Sequence, residues 1–332
     1  MVGRDGRGRR GRVTARHDGI VSSGTGGVWR VIADDGKEYE AALRGRLKRT
    51  GGARHAAGGG TKLAVGDRVR IERDARQRAW AIAEILPRKS RLARRAPGGG
   101  QGERVLAANI DQVIVMFAAA KPEPHTRMLD RFLVIAEAND LAARVIINKV
   151  ELVGPGAARE RFADYEHAGY PVHFISVKQR TGLDDVAAAL SGRISVVSGP
   201  SGVGKSSLLN ALFPGLGLRV SDISESVNKG RHTTVGAYLH PLPESSPVHG
   251  AVVDTPGLRE IGLWELPIKE LDVCFPEFRK LREHCRFADC SHVAEPACAI
   301  RGAVEKHAVS RARYESYLKL RSELEVEQTI RA

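Results

Sequence analysis

Residues 199–206 read Gly-Pro-Ser-Gly-Val-Gly-Lys-Ser, a complete G-x-x-x-x-G-K-[ST] sequence. An apolar stretch at 194–197 precedes them, and an apolar segment with helical character follows at 207–212. This is the strand–loop–helix context of a phosphate-binding loop. Its glycines let backbone N–H groups face phosphates, and the helix N-terminus adds the positive end of its dipole. The sequence therefore predicts a P-loop α/β domain built around this segment.

Two side chains of the loop have predicted roles. We expect Lys205 to reach the β- and γ-phosphates and the Ser206 hydroxyl to bind Mg²⁺. The predicted nucleotide contacts of the loop are Gly199, Pro200, Ser201, Gly202, Val203, Gly204, Lys205, Ser206 and Ser207. An accidental glycine-rich turn would lack the flanking strand and helix. The loop alone does not distinguish an ATPase, a kinase and a GTPase.

Two later segments match the switch elements of a nucleotide hydrolase. Residues 252–257 form an apolar strand that ends in D-x-x-G, so that Asp254 holds Mg²⁺ through water and the Gly257 N–H senses the γ-phosphate. Between the two motifs, residues 230–234 read Gly-Arg-His-Thr-Thr. Either Thr233 or Thr234 is the second Mg²⁺ ligand, and the sequence does not choose between them.

Two earlier segments match the base-reading elements of a guanine-specific site. Asn148, Lys149, Val150 and Glu151 follow an apolar strand at 145–147 and resemble N-K-x-D. The Glu151 carboxylate would accept hydrogen bonds from N1–H and the exocyclic amine, two donors that adenine does not present together. Ser176, Val177 and Lys178 resemble the loop whose backbone contacts the guanine oxygen. Because all these motifs fall at the carboxyl ends of predicted strands, together they favour a guanine nucleotide.

The order of the motifs is permuted. The base-reading motifs come at 148 and 176, whereas the phosphate motifs come later, at 199, 233 and 254. The same sheet forms if the usual termini are joined and the chain is cut just after D-x-x-G. Whatever follows Gly257 is then attached to the element that senses the γ-phosphate, where the nucleotide state could move it.

The remaining patterns predict a multi-domain chain. Short strands are expected at 19–22, 28–33, 37–43, 68–72 and 80–86, with a flexible insertion at 51–60 and a linker at 97–100. Five short strands favour an all-β barrel of the oligonucleotide-binding (OB) type. Further strands at 113–118, 144–147, 172–176 and 194–197 alternate with helices at 127–138 and 183–190, which predicts a parallel sheet. The segment from 267 onward has no strand pattern and ends in a charged helix at 310–328.

The charge of the chain is uneven. Residues 1–100 contain 24 Lys and Arg against 10 Asp and Glu, a net charge of +14, whereas residues 101–332 have a net charge of −1. The arginines continue beyond the basic segment 1–12, with further groups at 44–49 and 88–95. This asymmetry favours nucleic acid as the partner of the first third over a merely solubilising tail.

Several protein classes are excluded by simple counts. No run approaches the roughly 18 apolar residues of a membrane helix. No apolar stretch follows the basic segment 1–12, so it does not match a secretory signal. Four cysteines in 332 residues exclude a disulfide scaffold. We expect a cytoplasmic monomer that does not engage a membrane.

Three of the cysteines and one histidine form a predicted metal site. The ligands Cys285, Cys290, His292 and Cys298 lie within 14 residues of one another. Three thiols and one imidazole fill a tetrahedral zinc site completely, so one structural zinc is expected. The alternative is three buried reduced cysteines beside a surface histidine. Cys274 lies outside this set and is expected in the core.

From about residue 11 to residue 324, these motifs resemble the circularly permuted RsgA family of small-subunit-dependent GTPases. The permuted order, the segments at 199–207 and 230–234, the zinc set followed by Ala299, and Ala-Ala-Asn-Ile-Asp at 107–111 carry the resemblance. It implies an OB-type RNA-binding barrel at 13–95, a permuted GTPase domain at 103–264 and a mostly α zinc domain at 265–332. The basic segment 1–12 is predicted from its own composition to be a disordered tail and looks particular to this chain. It also implies binding to the small (30S) ribosomal subunit and its rRNA late in maturation, with subunit-stimulated hydrolysis of GTP to GDP and phosphate.

Two positions depart from common patterns. Glu151 stands where the family usually has Asp, which adds one methylene to the base-reading side chain. Leu258 stands where many GTPases have a glutamine that orients the attacking water, so intrinsic hydrolysis should be slow. His232 is the candidate to place that water, beside Lys205 and Asp254 as catalytic residues, or it is an exposed histidine without a chemical role. An RNA-binding module with a nucleotide sensor is the main alternative function. A P-loop kinase is disfavoured by Asn148 and Lys149.

Overall fold

The structure is a computed structural model that describes residues 13–25, 27–44, 63–74, 79–95, 103–216, 237–243, 250–254 and 266–331. Predictions for segments 1–12, 51–60, 97–100 and 230–234, and for Gly257 and Leu258, lie outside these residues. No helix in the described ranges is both long enough and apolar enough to cross a bilayer.

Five strands near the N-terminus form a closed barrel. They are β1 (Val13–Thr25), β2 (Val28–Ala33), β3 (Glu38–Leu43), β4 (Arg68–Asp74) and β5 (Trp80–Ile85), in the order β1-β2-β3-β5-β4. Alternate residues point inward because side chains alternate between faces along a strand. Val21, Val31, Val69, Ile71 and Ile82 fill the interior. The barrel predicted from the strand pattern is confirmed, and each predicted strand is present.

A two-stranded hairpin, which the sequence pattern did not predict, follows the barrel. Strand β6 (Arg91–Arg95) pairs antiparallel with β7 (Glu103–Ala108). The basic residues at 91–95 were assigned to the barrel domain, which was predicted to end at residue 95. They lie on a strand that pairs with residues 103–108, at the start of the predicted GTPase domain. Leu92 of this hairpin packs into the core of the central domain.

A tight joint connects the barrel to the central domain. Ala108 N–H donates to the Val65 carbonyl at 2.8 Å, and Asn109 Nδ2 donates to the Gly66 carbonyl at 2.8 Å. Gly66 has φ +87°, and a Cβ there would lie 2.0 Å from the Ala108 oxygen, so only glycine fits. The Ala-Ala-Asn-Ile-Asp segment at 107–111 thus holds the barrel against the domain that follows.

The central domain is a six-stranded sheet with helices on both sides. The strands β8 (Gln112–Ala118), β9 (Ala142–Asn148), β10 (Val172–Phe174), β11 (Arg193–Ser198), β12 (Tyr238–Pro241) and β13 (Gly250–Asp254) are ordered β10-β9-β8-β11-β13-β12. All are parallel except β12. The helices are α1 (Thr126–Glu137), α2 (Pro155–His167), α3 (Leu183–Leu190) and α4 (Lys205–Leu212). Every residue of β8 is buried, as expected for a strand covered on both faces.

The C-terminal region, residues 266–331, contains three α-helices: α5 (Pro276–Arg282), α6 (Ala299–Glu305) and α7 (Arg311–Arg331). Two short 3₁₀ helices, Ile268–Glu270 and Asp272–Cys274, precede them. No strand occurs within residues 266–331, as the sequence predicted. Helix α7 packs on α1 through a buried ionic cluster. Arg313 donates to Asp130 Oδ1 at 2.5 Å and to the two Glu277 carboxylate oxygens at 2.8 and 3.1 Å. The region is therefore anchored on the central domain by contacts as well as by its covalent connection.

Candidate functional site

The predicted nucleotide loops that the structure describes lie at one edge of the central sheet. Strands β8, β9, β11 and β13 are parallel neighbours, so their carboxyl ends meet there. The predicted loops 149–151 and 199–204 follow β9 and β11 directly, and Asp254 ends β13. The segment 119–124, which no motif predicted, follows β8 at the same place. This edge is where ligands bind in open α/β sheets.

The phosphate loop runs from β11 into α4. A Cβ at position 199 would lie 2.0 Å from the Met116 oxygen, and one at 204 would lie 2.6 Å from Asn148 Nδ2, so both positions require glycine. Lys205 Nζ donates to the Gly199 carbonyl at 3.0 Å and to the Pro200 carbonyl at 2.7 Å. Lys205 and Ser206 are buried at the start of α4, although Lys205 was expected to be exposed.

Asn148 and Lys149 connect three loops of the site. Asn148 is buried at the end of β9, where its Nδ2 donates to the Val203 carbonyl at 2.8 Å and its Oδ1 accepts the Val177 N–H at 3.1 Å. Lys149 has φ +63°, and its Nζ donates to the Gly202 carbonyl at 2.7 Å. The predicted base-reading segment at 148 is therefore bonded directly to the phosphate loop, and the segment at 176 is linked to that loop through Asn148.

Glu151 follows in a short 3₁₀ turn, Val150–Leu152. Its Oε2 atom is buried and has no hydrogen-bond partner among the described residues. A buried carboxylate oxygen without a donor is costly, and a ligand N–H would satisfy it. Ser176 is fully buried, and its Oγ accepts the Gln179 N–H at 3.0 Å, which fixes the turn containing Val177 and the exposed Lys178.

Sequence reasoning missed one loop of the site, residues 119–124. Its Lys121 carbonyl accepts a second hydrogen bond from Lys149 Nζ, and Pro122 Cδ lies 3.9 Å from the position a Cβ on Gly202 would take. This loop follows β8, which neighbours both β9 and β11. The rule that parallel strands share a carboxyl edge could have found it, although no short motif marks it.

Of the predicted switch residues, the structure describes one. Asp254 ends β13, in which Val253 pairs with Val196 of β11, so Asp254 lies beside the strand that leads into the phosphate loop. His232, Thr233, Thr234 and Gly257 lie outside the described residues, so their roles stay predictions.

The four predicted metal ligands come together in the C-terminal region. Their ligand atoms all lie within 4.8 Å of one another. His292 Nδ1 is 3.6 Å from Cys285 Sγ and 3.5 Å from Cys298 Sγ, and the two sulfurs are 4.0 Å apart. Tetrahedral zinc with bonds of about 2.0–2.3 Å implies ligand separations of roughly 3.5–3.8 Å. Burial raises the pKa of the Cys290 thiol to about 12, so a bound cation would be needed to deprotonate it.

An aspartate that the sequence did not reveal orients the histidine of this cluster. Asp272 Oδ2 lies 3.3 Å from His292 Nε2 and accepts a hydrogen bond from Arg282 Nε at 2.7 Å. Burial alone would raise the pKa of Asp272, but His292 and Arg282 outweigh it and lower that pKa. With Nε2 directed to a carboxylate, Nδ1 faces the sulfurs as a metal ligand requires.

Comparisons with known proteins agree with this geometry. The family model described as RsgA GTPase matches residues 85–264. The chain is 58% identical over 313 residues to a small ribosomal subunit biogenesis GTPase RsgA of Gemmatimonas aurantiaca, covering 94% of this chain and 99% of the relative. A protein of the same name from Bacteroides fragilis is 37% identical over 305 residues, covering 91% and 95%.

Two solved structures are similar over nearly their whole length. The crystal structure of YjeQ from Thermotoga maritima matches with a TM-score of 0.74 and 34% identity, covering 93% of this chain and 99% of that one. The structure of YloQ, described as a circularly permuted GTPase, matches with a TM-score of 0.71 and 26% identity, covering 96% and 98%.

Proposed function

The chain belongs to the RsgA GTPase family, and on that premise we propose that it binds the small ribosomal subunit late in maturation and hydrolyses GTP there. It is a GTP hydrolase of small ribosomal subunit biogenesis. The subunit and its rRNA are the macromolecular partners in this proposal, and docking on the subunit stimulates the hydrolysis. The chain acts as a monomer in the cytoplasm.

The proposal that the base is guanine rests on the Glu151 Oε2 atom, which has no hydrogen-bond partner among the described residues. This oxygen is buried, and the turn that bears it follows directly from Asn148 and Lys149, which are bonded to the phosphate loop. Guanine presents N1–H and an exocyclic amine side by side, and both donate to a carboxylate. Glu keeps the two acceptor oxygens of the usual Asp, so its extra methylene changes the reach of the side chain and not its chemistry.

The phosphates occupy the loop 199–207 in this proposal. Lys205 exchanges its bonds to the Gly199 and Pro200 carbonyls for phosphate oxygens, and Ser206 and Asp254 hold the Mg²⁺ site with Thr233 or Thr234. When bound, Mg²⁺ neutralises charge that develops on the phosphate oxygens. Leu258 has no group to orient water, so His232 is assigned that task in the subunit-bound protein.

The rRNA-binding charge is carried by particular segments and not by the barrel wall. The described residues from 13 to 88 contain eight basic and nine acidic side chains. Most of these arginines are ion-paired: Arg16 and Arg44 with Glu72, Arg30 with Glu38 and Glu40, Arg68 with Asp34, Arg70 with Asp18 and Glu84, and Arg88 with Asp67. The net charges are +4 for residues 1–12, +5 for 45–62, +2 for 75–78 and +4 for 89–95. These four segments are the proposed phosphate contacts.

The metal at the Cys285, Cys290, His292 and Cys298 cluster is zinc in this proposal, one per chain and structural. Four protein ligands leave no open coordination position for chemistry. The proposed domains are the barrel at 13–95, the GTPase at 103–264 and the zinc domain at 265–332. The hairpin β6–β7 spans the first boundary and serves as the connection between its two neighbours.

Substitution of Glu151 tests the base assignment. Glu151→Ala should weaken GDP binding by about 1.5–3 kcal/mol, the range for a hydrogen bond to a charged group, or roughly 10- to 150-fold. Glu151→Gln should gain affinity for xanthosine diphosphate, because its amide donates to the carbonyl that replaces the guanine amine. Competition binding against labelled GDP measures both effects, and Glu160→Gln, an exposed acid on α2, is the matched control. GDP affinity within twofold of wild type in Glu151→Ala would remove the assignment.

Hydrolysis with and without purified small subunits tests the rest of the proposal. Wild-type turnover should be slow alone and rise when subunits are added. Lys205→Ala should abolish turnover in both conditions and leave the fold intact, because backbone atoms form the loop. Equal turnover with and without subunits would exclude stimulation by the subunit.

A further inference from the structure

A cavity lies at the opposite edge of the central sheet from the nucleotide loops. It has a volume of about 780 Å³ and opens between the amino ends of the strands and the C-terminal region. Gln112, Arg144 and Arg193 line it from strands β8, β9 and β11, and Pro276 and Arg279 line it from the C-terminal region. Ligand sites are often found in clefts of this size between structural units.

Neutral acceptors hold the two sheet arginines in place. Arg144 Nε donates to Gln112 Oε1 at 2.8 Å, and Arg193 Nη1 donates to the Ala189 carbonyl at 2.8 Å. The same Ala189 carbonyl accepts Gln112 Nε2 at 2.7 Å, and Gln112 also donates to Ser195 Oγ at 2.9 Å. Gln112 is 2% exposed, so this frame is rigid and buried. The Gln112 side-chain amide and the Ala189 carbonyl therefore hold the two guanidinium groups in place.

The frame leaves the positive charge of both arginines uncompensated. Among the described residues, neither Arg144 nor Arg193 forms an ion pair with a carboxylate. Burial and the neighbouring Arg193 charge lower the pKa of Arg144. Burial and Arg144 also lower the pKa of His173, whose Nε2 lies 3.5 Å from Arg144 Nη1, although Asp185 opposes that shift. Both arginines are partly exposed, and a cleft lined by two like charges attracts an anion.

The carboxylates of the cavity do not supply that anion. Glu137 is paired with Arg279, and Asp111 Oδ2 accepts the Ile194 N–H at 2.7 Å. Asp111 and Asp140 are exposed, where water screens their charge. The free N–H groups of Arg144 and Arg193 therefore remain available to a ligand.

We propose that this cleft binds a small phosphomonoester, no larger than a nucleotide, with its phosphate between Arg144 and Arg193. Guanidinium forks match phosphate oxygens in geometry and form charge-assisted hydrogen bonds with them. The site is separate from the phosphate loop, so the proposal does not depend on the proposed function.

Histidine NMR on the full-length protein with saturating GDP and Mg²⁺ tests the proposal. Inorganic phosphate and AMP are the two probes, and the His173 ring signal, assigned with His173→Gln, is the local reporter. Both probes should shift this signal saturably in the wild type. Arg144→Gln and Arg193→Gln should each weaken binding at least tenfold, or about 1.4 kcal/mol. Arg127→Gln removes one charge from an exposed position on α1 and should bind as wild type does.

Three results would overturn the proposal. The first is the absence of a saturable shift in the wild type. The second is equal binding in all variants, which would indicate nonspecific attraction to a basic protein. The third is a response to a short RNA oligonucleotide but to neither small probe. If Arg144→Gln does not fold, Arg193→Gln decides the outcome, because Arg193 makes only one hydrogen bond within the frame.

Discussion

Replacing Arg313 should loosen the attachment of the C-terminal region to the central domain. The Arg313 side chain is 2% exposed, as is that of Asp130, while that of Glu277 is 11% exposed. The guanidinium also lies 4.8 Å from the centre of the Phe275 ring. Burial disfavours the charge, yet the carboxylates of Asp130 and Glu277 overcome this and raise the pKa of Arg313. Arg313→Met keeps much of the packing but leaves two buried carboxylates facing each other.

The expected cost is about 3–5 kcal/mol, the range for removing one partner of a buried ion pair. Because each 1.4 kcal/mol is a factor of ten, opening of this region should become roughly 100- to 4,000-fold more frequent. Hydrogen exchange of helix α7 in the metal-loaded protein measures that opening directly. Arg311→Met, an exposed arginine on the same helix, is the control. Adding Asp130→Asn and Glu277→Gln should recover much of the loss, since no buried charge then remains.

The loss of stability in Arg313→Met should depend on pH in a defined direction. Burial raises the pKa of Asp130, and Arg313 opposes this, so removing Arg313 should raise that pKa further. A raised folded pKa means that stability is retained below the unfolded value of about 3.9 and lost as the pH rises through the folded value. The deficit of Arg313→Met should therefore be smaller at pH 5 than at pH 8. If α7 opens in Arg313→Met no more than tenfold more often than in Arg311→Met at pH 8, the role given to this cluster is refuted.

Three further predictions concern other parts of the chain. Gly66→Ala should cost about 1–3 kcal/mol more than Gly27→Ala in thermal unfolding, because both have φ near +88° but only Gly66 meets a backbone oxygen; equal costs would contradict the tight joint. Asp272→Ala should weaken zinc binding about 10- to 100-fold in chelator competition, whereas the exposed Asp289→Ala should not; unchanged affinity would show that the His292 contact is incidental. Replacing Arg46 and Arg49 with Gln should reduce the salt dependence of subunit binding by roughly 0.7–0.9 per lost phosphate contact. The paired Arg68 and Arg70, replaced in the same way, should have little effect, and the opposite ranking would place the RNA on the barrel wall.

The parts predictable from sequence are those determined by local spacing. The phosphate loop lies on eight consecutive positions, 199–206, that lead from a strand into a helix, so its residues alone predict its geometry. The zinc ligands fall within 14 residues, and the barrel strands show period-two alternation between clear turns. In each case neighbouring residues determine the arrangement.

The parts that sequence reasoning missed depend on distant contacts. Asp272 lies 20 residues before His292, and no periodicity connects them. Arg313 lies in a helix that the sequence marks only as charged, and its carboxylate partners are 36 and 183 positions away. The hairpin β6–β7 was missed because the glycines at 97–100 suggested a linker, whereas its two strands pair across that segment.

Helix α1 provides a second attachment between the C-terminal region and the central domain, besides the covalent one that follows from the permuted chain order. The sequence attaches the C-terminal region only to the D-x-x-G element at 254–257. The structure also attaches it through Arg313 to Asp130 of α1, and the loop before α1 carries the Lys121 carbonyl that Lys149 binds. Lys149 in turn bonds the phosphate loop at Gly202. These two connections, one covalent and one through α1, restrict movement of the C-terminal region relative to the central sheet. A shift of this region driven by the nucleotide must therefore move α1 with it or break the Arg313 cluster.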